Sequence, residues 1–255
     1  MLKHRLIPCL LLHNGGLVKT QKFSNPKYVG DPINAIRIFN EKEVDELVVL
    51  DISASKEKRE PNYELIEQLA GECFMPLCYG GGIRTIEQAR TLFGLGLEKI
   101  ALQSAALEDL SLLTKIADQF GSQSVVASVD VKKNWLGKHK LFRSSSGKTS
   151  TQTWQDFIRQ AVVAGAGEVM LNAVDRDGLM QGMDIDLIKE ASSNVPVPLI
   201  AVGGVGCLAD IKAAVGAGAS AVAAGAFFVY QGPHRAVLIT YPNYQELENL
   251  LKESA

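Results

Sequence analysis

Gly80-Gly81-Gly82-Ile83 is answered 122 residues further along by Gly203-Gly204-Val205, with Gly81 matching Gly203 and Gly82 matching Gly204. At the same offset, Gly94-Leu95-Gly96 matches Gly216-Ala217-Gly218. Each leading glycine cluster closes a short apolar run, Pro76 to Tyr79 in one case and Pro198 to Val202 in the other. The chain therefore reads as a doubled half.

Working outward from these clusters, six more short apolar runs fall into step: Leu6 to Leu12, Glu46 to Ile52, Lys99 to Leu102, Ser124 to Val131, Glu168 to Asn172 and Ala221 to Ala224. Helical patterns lie between them, over Pro32 to Val44, Tyr63 to Gly71, Ile86 to Phe93, Leu110 to Phe120, Trp154 to Ala164 and Leu208 to Val215. The first helix has a clear start, because Asp31 can cap it and Pro32 suits its first position. Near-continuous hydrophobicity in short runs indicates strands buried on both faces, as in a parallel sheet with helical crossovers. Eight such units in 255 residues predict an α/β fold, a (β/α)8 TIM barrel of two repeated half-barrels, as a single domain over 1–255. A doubly wound sheet is the rival. Neither glycine cluster has the GxGxxG spacing, however, and eight units exceed that fold's usual strand number of about six. The least regular stretch, Lys132 to Thr153, is expected to be a long loop on the catalytic face.

With 26 basic residues against 28 acidic ones, the chain gives no electrostatic case for nucleic acid or an anionic membrane, which leaves small-molecule chemistry. The apolar run before His13 is too short to span a bilayer, so we expect a cytoplasmic protein. Cys9, Cys73, Cys78 and Cys207 show no paired CxxC spacing, and reduced thiols are expected. The histidines (His4, His13, His139, His234) are scattered, so we expect neither a metal site nor a serine triad, and no cofactor.

In a barrel of this kind, residues at strand C-termini face the active site. Asp51, Asp130, Asp175 and Asp177 fall at or just after the ends of the second, fifth and sixth strands. Asp130 is the strongest candidate for acid-base work, since an acid ending an apolar strand is prone to a shifted pKa. For Asp51, Asp175 and Asp177 a carboxylate that only bonds loop amides is an equal reading. Yet where the second half begins Ser128-Val129-Asp130, the first begins Cys9-Leu10-Leu11-Leu12, so one expected carboxylate is missing.

Gly81 and Gly82, with Ser104 after the fourth strand, and Gly203 and Gly204, with Gly225 after the eighth, can bring backbone N–H groups close to phosphate oxygens. Recurrence on opposite sides of the barrel suggests a ligand phosphorylated at both ends. Lys19 either adds a charge there or is a solvated surface lysine. At the other mouth, Arg5, Glu46, Lys99 and Glu168 begin the first, second, fourth and sixth strands. Exposed ion pairs are commonplace and weak, so the residues alone favour solvated charges. Two acids and two bases in one mouth could instead close a ring and form a gate.

Taken together, Arg5-Leu6-Ile7-Pro8-Cys9-Leu10, Gly30-Asp31-Pro32, Asp45-Glu46-Leu47-Val48, Gly80-Gly81-Gly82-Ile83, Phe120-Gly121-Ser122-Gln123 and Asp175-Arg176-Asp177-Gly178 resemble the motifs of the HisF family. HisF is the cyclase subunit of imidazole glycerol phosphate synthase, and the resemblance covers nearly the whole chain. It implies a synthase half that partners a glutaminase, takes ammonia through the barrel from the strand-start mouth and uses it at the opposite face. It implies that Arg5, Glu46, Lys99 and Glu168 gate the ammonia, that Asp130 is catalytic, and that Gly178 joins the phosphate-binding glycines. Asp51, Asp177 and Lys19 become acid-base or substrate-contacting candidates. Leu11 replaces the family's other catalytic aspartate. Gln103 stands where the family usually has asparagine, Val202 where it has serine, and Gly225 where it often has serine.

The runs Leu10-Leu11-Leu12, Lys27 to Pro32, Ala70 to Pro76 and Gly232-Pro233-His234-Arg235-Ala236 look like a divergent branch of the family. That branch is associated with surface-polysaccharide sugars. There the resemblance implies action with a glutaminase and an ATP-dependent sugar amidotransferase, converting an acetamido group into an acetamidino group. A histidine-pathway cyclase and a non-catalytic scaffold that activates the glutaminase are the alternatives.

Overall fold

A computed structural model describes residues 4–252; residues 1–3 and 253–255 of the expected domain lie outside the described residues. Eight strands form the barrel: β1 (Arg5–His13), β4 (Leu47–Asp51), β5 (Leu77–Gly80), β6 (Lys99–Leu102), β7 (Val125–Lys133), β10 (Glu168–Ala173), β11 (Leu199–Val202) and β12 (Ala221–Ala224). Each pairs in parallel with its neighbours in that order. The pairings β10–β7 and β1–β12 leave the barrel sheet without an edge. Every barrel strand overlaps a run read from the sequence.

Helices cover the outside: α1 (Pro32–Glu41), α2 (Tyr63–Glu72), α3 (Ile86–Gly94), α4 (Ser104–Glu108), α5 (Ser111–Phe120), α6 (Trp154–Val163), α7 (Ile185–Ser192), α8 (Leu208–Gly216), α9 (Ala226–Val229) and α10 (Tyr244–Lys252). α1 starts as expected, with the Asp31 side chain accepting from Asn34 N at 2.9 Å and Pro32 opening the first turn. It stops at Glu41, short of Val44, and Glu43 just beyond has a positive φ of 52°. Among the described residues no helix is long and apolar enough to cross a membrane.

The two-residue pleat divides each strand between two cores. On β1, Leu6, Leu10 and Leu12 belong to the core under the helices, while Ile7 and Cys9 belong to the barrel interior and Leu11 packs against that interior. Val48, Cys78, Ala101, Val126, Met170, Ile200, Val202, Ala221 and Ala223 complete the interior column.

Two hairpins extend the barrel at its strand-end face. β2 (Gly16–Gln21) and β3 (Ser24–Gly30) follow β1 through the two-residue turn Asn14-Gly15, both residues at positive φ, as hairpin turns of this length prefer. The second hairpin corrects the expectation of a loop over Lys132 to Thr153. β7 continues to Lys133 and pairs antiparallel with β8 (His139–Arg143), which pairs with β9 (Lys148–Thr149). The reason is a pair of adjacent apolar side chains within a polar stretch: Leu141, opposite Val131, joins the core beneath the helices and Phe142 packs against Phe23, while Lys138 and Lys140 stay exposed. A short strand, β13 (Tyr230–Gln231), pairs with β14 (Ala236–Val237) after α9.

Because the α1 cap is a side chain accepting an otherwise unpaired helix N–H, Asp31→Ala should lower unfolding stability by about 1 kcal/mol, measured by urea denaturation.

Candidate functional site

At the strand-start mouth, four side chains close on one another. Arg5 bonds Glu46 and, at 2.8 Å, Glu168; Lys99 reaches Glu46 at 3.1 Å and Glu168 at 2.9 Å. Each carboxylate thus holds two cations and each cation two carboxylates. Glu46 and Glu168 are only 2% and 8% exposed, which rules out the solvated-charge reading and makes pairing obligatory. Burial works against the Arg5 charge, and the carboxylates of Glu168 and Glu46 override it, so its proton is held more tightly than usual.

At the opposite mouth one pocket gathers the remaining site candidates. Gly81, Gly82 and Ser104 line one side; Gly178, Gly203, Gly204 and Gly225 line the other; Asp51, Asp130, Asp177 and Lys19 lie between and around them. Ser104 opens α4, and Gly225 precedes α9, so backbone N–H groups at both helix starts lack helical partners. The two cradles differ in how tightly they are built, Gly204 closing on rigid backbone and Gly225 on the movable end of a lysine. A Cβ on Gly204 would lie 2.2 Å from Gly182 O, and one on Gly225 would lie 2.7 Å from Lys19 Nζ. The centre of the pocket is apolar, lined by Leu11, Leu50, Ala101, Met170 and Val202.

Lys19 is no surface lysine. It is 4% exposed, its Nζ donates to Cys9 O at 2.6 Å, and burial lowers its pKa from the ordinary 10.5 to about 8, despite the opposing fields of Cys9 and Asp177. Asp130 is equally buried. Desolvation raises its pKa from 3.8 to about 7, against the stabilising bond from Gln103. A buried acid and a buried base, both titrating near neutrality, therefore share one pocket.

The other aspartates divide. Asp51 Oδ1 accepts from Ser53 N at 2.9 Å and Ala54 N at 3.0 Å, so it bonds loop amides even as it lines the pocket. Asp175 accepts from Lys133 N at 2.6 Å and is not among the pocket-lining residues. Asp177 fastens the first hairpin: its carboxylate accepts from Thr20 Oγ1 at 2.8 Å and Phe23 N at 3.2 Å, and its carbonyl from Lys22 N at 3.1 Å. Burial raises its pKa, opposed by those bonds to Thr20 and Phe23. Arg235 steadies the same loop by donating to Gly178 O and Leu179 O at 3.3 and 2.9 Å.

Sequence reasoning missed Thr20, Phe23 and Ser144, which hairpins carry into the pocket, and Asn172, which is in register with Asp130. The Asn14-Gly15 turn was the available signal for the first hairpin, and strand alternation the signal for Asn172.

Residues 5–234 match the family described as histidine biosynthesis protein. A Pseudomonas aeruginosa protein, provisionally named an imidazole glycerol phosphate synthase subunit (hisF2), is 55% identical over 253 residues, 97% of this chain and 99% of the relative. A Leptospira interrogans protein, provisionally named subunit HisF of the same synthase, is 49% identical over 98% of this chain and 99% of its own length. A Streptococcus sanguinis protein named imidazole glycerol phosphate synthase subunit HisF is 41% identical over 206 residues, 81% of this chain and 82% of the relative.

The raised pKa of Asp130 has a thermodynamic signature. The folded chain binds this proton more tightly than the unfolded chain, so the stability it contributes is fully present below about pH 4 and is lost as pH rises through about 7. Asp130→Asn should therefore flatten the fall in stability between pH 4 and pH 8 and be the more stable protein at pH 8, by up to a few kcal/mol in urea unfolding. An unchanged slope would mean that Asp130 ionises as readily in the fold as in water.

Proposed function

The chain belongs to the HisF family, and from that membership we propose that it is the ammonia-accepting synthase subunit of a glutamine-dependent amidotransferase, of the imidazole glycerol phosphate synthase type. The observation that carries this reading is the closed ring of Arg5, Glu46, Lys99 and Glu168, opposite a pocket lined by Asp130, Lys19 and glycine clusters on two sides. Ammonia released into neutral water is protonated and loses its nucleophilicity. A partner glutaminase at the strand-start face would deliver it to the ring, and the ring would gate its entry into the apolar column between Ile7 and Val202. An anchor for that partner is available: Phe74, 87% exposed between α2 and β5, is held in place by Phe74 N donating to Asn40 Oδ1 at 3.1 Å.

At the strand-end pocket, Gly81, Gly82 and Ser104 would take one phosphate, and Gly178, Gly203, Gly204 and Gly225 the other, with the Lys19 ammonium beside Gly225. Asp130 would exchange a proton with the ligand. The family's other catalytic carboxylate falls at Leu11, which cannot ionise. Lys19, its pKa lowered to about 8, is the buried group able to move the second proton. The named relatives favour the bis-phosphate intermediate of the histidine pathway as ligand.

A second reading rests on the apolar centre that Leu11 and Val202 create. In it the barrel delivers ammonia for conversion of an acetamido group to an acetamidino group on a surface-polysaccharide sugar, together with an ATP-dependent sugar amidotransferase.

Turnover of the histidine-pathway bis-phosphate in excess ammonium salt, for the parent and for Leu11→Asp, separates the readings, because free ammonia removes the need for the glutaminase. Activity in the parent places the chain in histidine synthesis, with Asp130 and Lys19 sufficient. A silent parent restored by aspartate supports the amidino-sugar reading. Silence in both overturns the assignment of the pocket to a doubly phosphorylated ligand.

A further inference from the structure

Gln103 ends the approach from β6 to α4, at a position where a helix cap would be expected. It forms no cap. Its side chain turns inward instead, and both ends of the amide are engaged: Nε2 donates to Asp130 Oδ2 at 2.6 Å, and Oε1 accepts from Ser144 Oγ at 2.5 Å and from Ser144 N at 3.2 Å. The backbone N–H of Ser144 can only donate, which fixes Oε1 toward Ser144 and leaves Nε2 for the carboxylate. The arrangement has one orientation.

We infer that Gln103 is a positioning residue that fixes which oxygen of Asp130 carries the exchangeable proton and ties that carboxyl to the β7–β8 hairpin. With Oδ2 occupied by an amide donor, protonation falls to Oδ1. Ser144 lies two residues beyond Phe142, whose ring contacts Phe23 of the first hairpin with centroids 6.2 Å apart. Phe23 N is bonded to Asp177. The first hairpin is thereby linked to the carboxyl through Phe142, Ser144 and Gln103. Displacing it from Asp177 would loosen the support that Gln103 gives to Asp130. An asparagine at 103 is one methylene shorter and could not span Asp130 and Ser144 together.

The other ionisable groups around Asp130 are Asp177, from the loop after β10, and the Cys9 thiol of β1, with Lys19 beyond them bonded to Cys9 O. Asp177 pushes the Asp130 proton on, and burial does so more strongly. The bond from Gln103 is the principal interaction favouring the charged carboxylate.

The purpose of this device rests on the reading of Asp130 as the acid of the site, but its existence does not, and the test uses no ligand. The carboxyl band of Asp130 can be followed by infrared difference spectroscopy from pH 5 to pH 10 and identified by its loss in Asp130→Asn. Gln103→Leu removes the donor at nearly constant volume and should raise the Asp130 pKa by about one pH unit or more, since hydrogen bonds to charged groups are of that strength. Gln103→Asn should shift it the same way, and Ser144→Ala, near the surface, by less. Should Gln103→Leu fail to fold, the other two variants carry the test. An Asp130 titration unchanged in every folded variant would overturn the inference, whatever the outcome for ammonia-driven turnover.

Discussion

The pleat of eight parallel strands is the constraint on which everything else depends. On β1 it sends Arg5, Ile7, Cys9 and Leu11 inward in succession; on β10 it sends Glu168, Met170 and Asn172 the same way. A side-chain period of two, locked by parallel registers that close the barrel, thus stacks a charged ring, an apolar column and a polar pocket on one axis. Slipping β1, β6 or β10 by one residue would turn a ring charge into the core beneath the helices. The cost of such a slip keeps the register, and the register keeps the two mouths aligned.

Electrostatics then differentiates the mouths. At the strand-start end, buried carboxylates are matched by equal numbers of cations, so their charges persist in the fold. At the strand-end pocket, Asp130 and Lys19 are buried with no ion pair of their own among the described residues, and desolvation moves both toward neutrality from opposite sides. The first arrangement suits a structure that must hold charge permanently, the second one that must exchange protons. Leu11, contributing neither, leaves the first half of the doubled chain without a counterpart to Asp130.

Much of this was legible from residues alone, for identifiable reasons. Runs such as Leu6 to Leu12 are apolar on both faces because helices cover one side and the barrel interior the other, so they stand out without any alignment. That Gly81, Gly82, Gly203 and Gly204 line one pocket was legible because the repeat doubles the signal. The hairpin at Lys132 to Arg143 was not, since its extended conformation depends on burying just Leu141 and Phe142 against the barrel end, a tertiary contact. Burial of Lys19 was equally hidden, because nothing local to Val18-Lys19-Thr20 announces that Asp177 will fold the hairpin inward. Closure of the ring joins residues up to 163 positions apart, a pairing that single-chain spacing cannot reveal.

Enclosed transfer of nitrogen from one mouth to the other is the central claim, and isotope competition tests it most directly. The chain, assembled with its glutaminase, is supplied with amide-labelled glutamine in a bath of unlabelled ammonium too dilute to support turnover without glutamine, and the label in the product of the strand-end pocket is measured by mass spectrometry. Label retained nearly in full, and diluted only when Lys99 is removed from the ring, is the result expected. Product nitrogen with the isotopic composition of the bath would contradict the account, because it would mean that the nitrogen of glutamine is released into solution before it reaches the pocket.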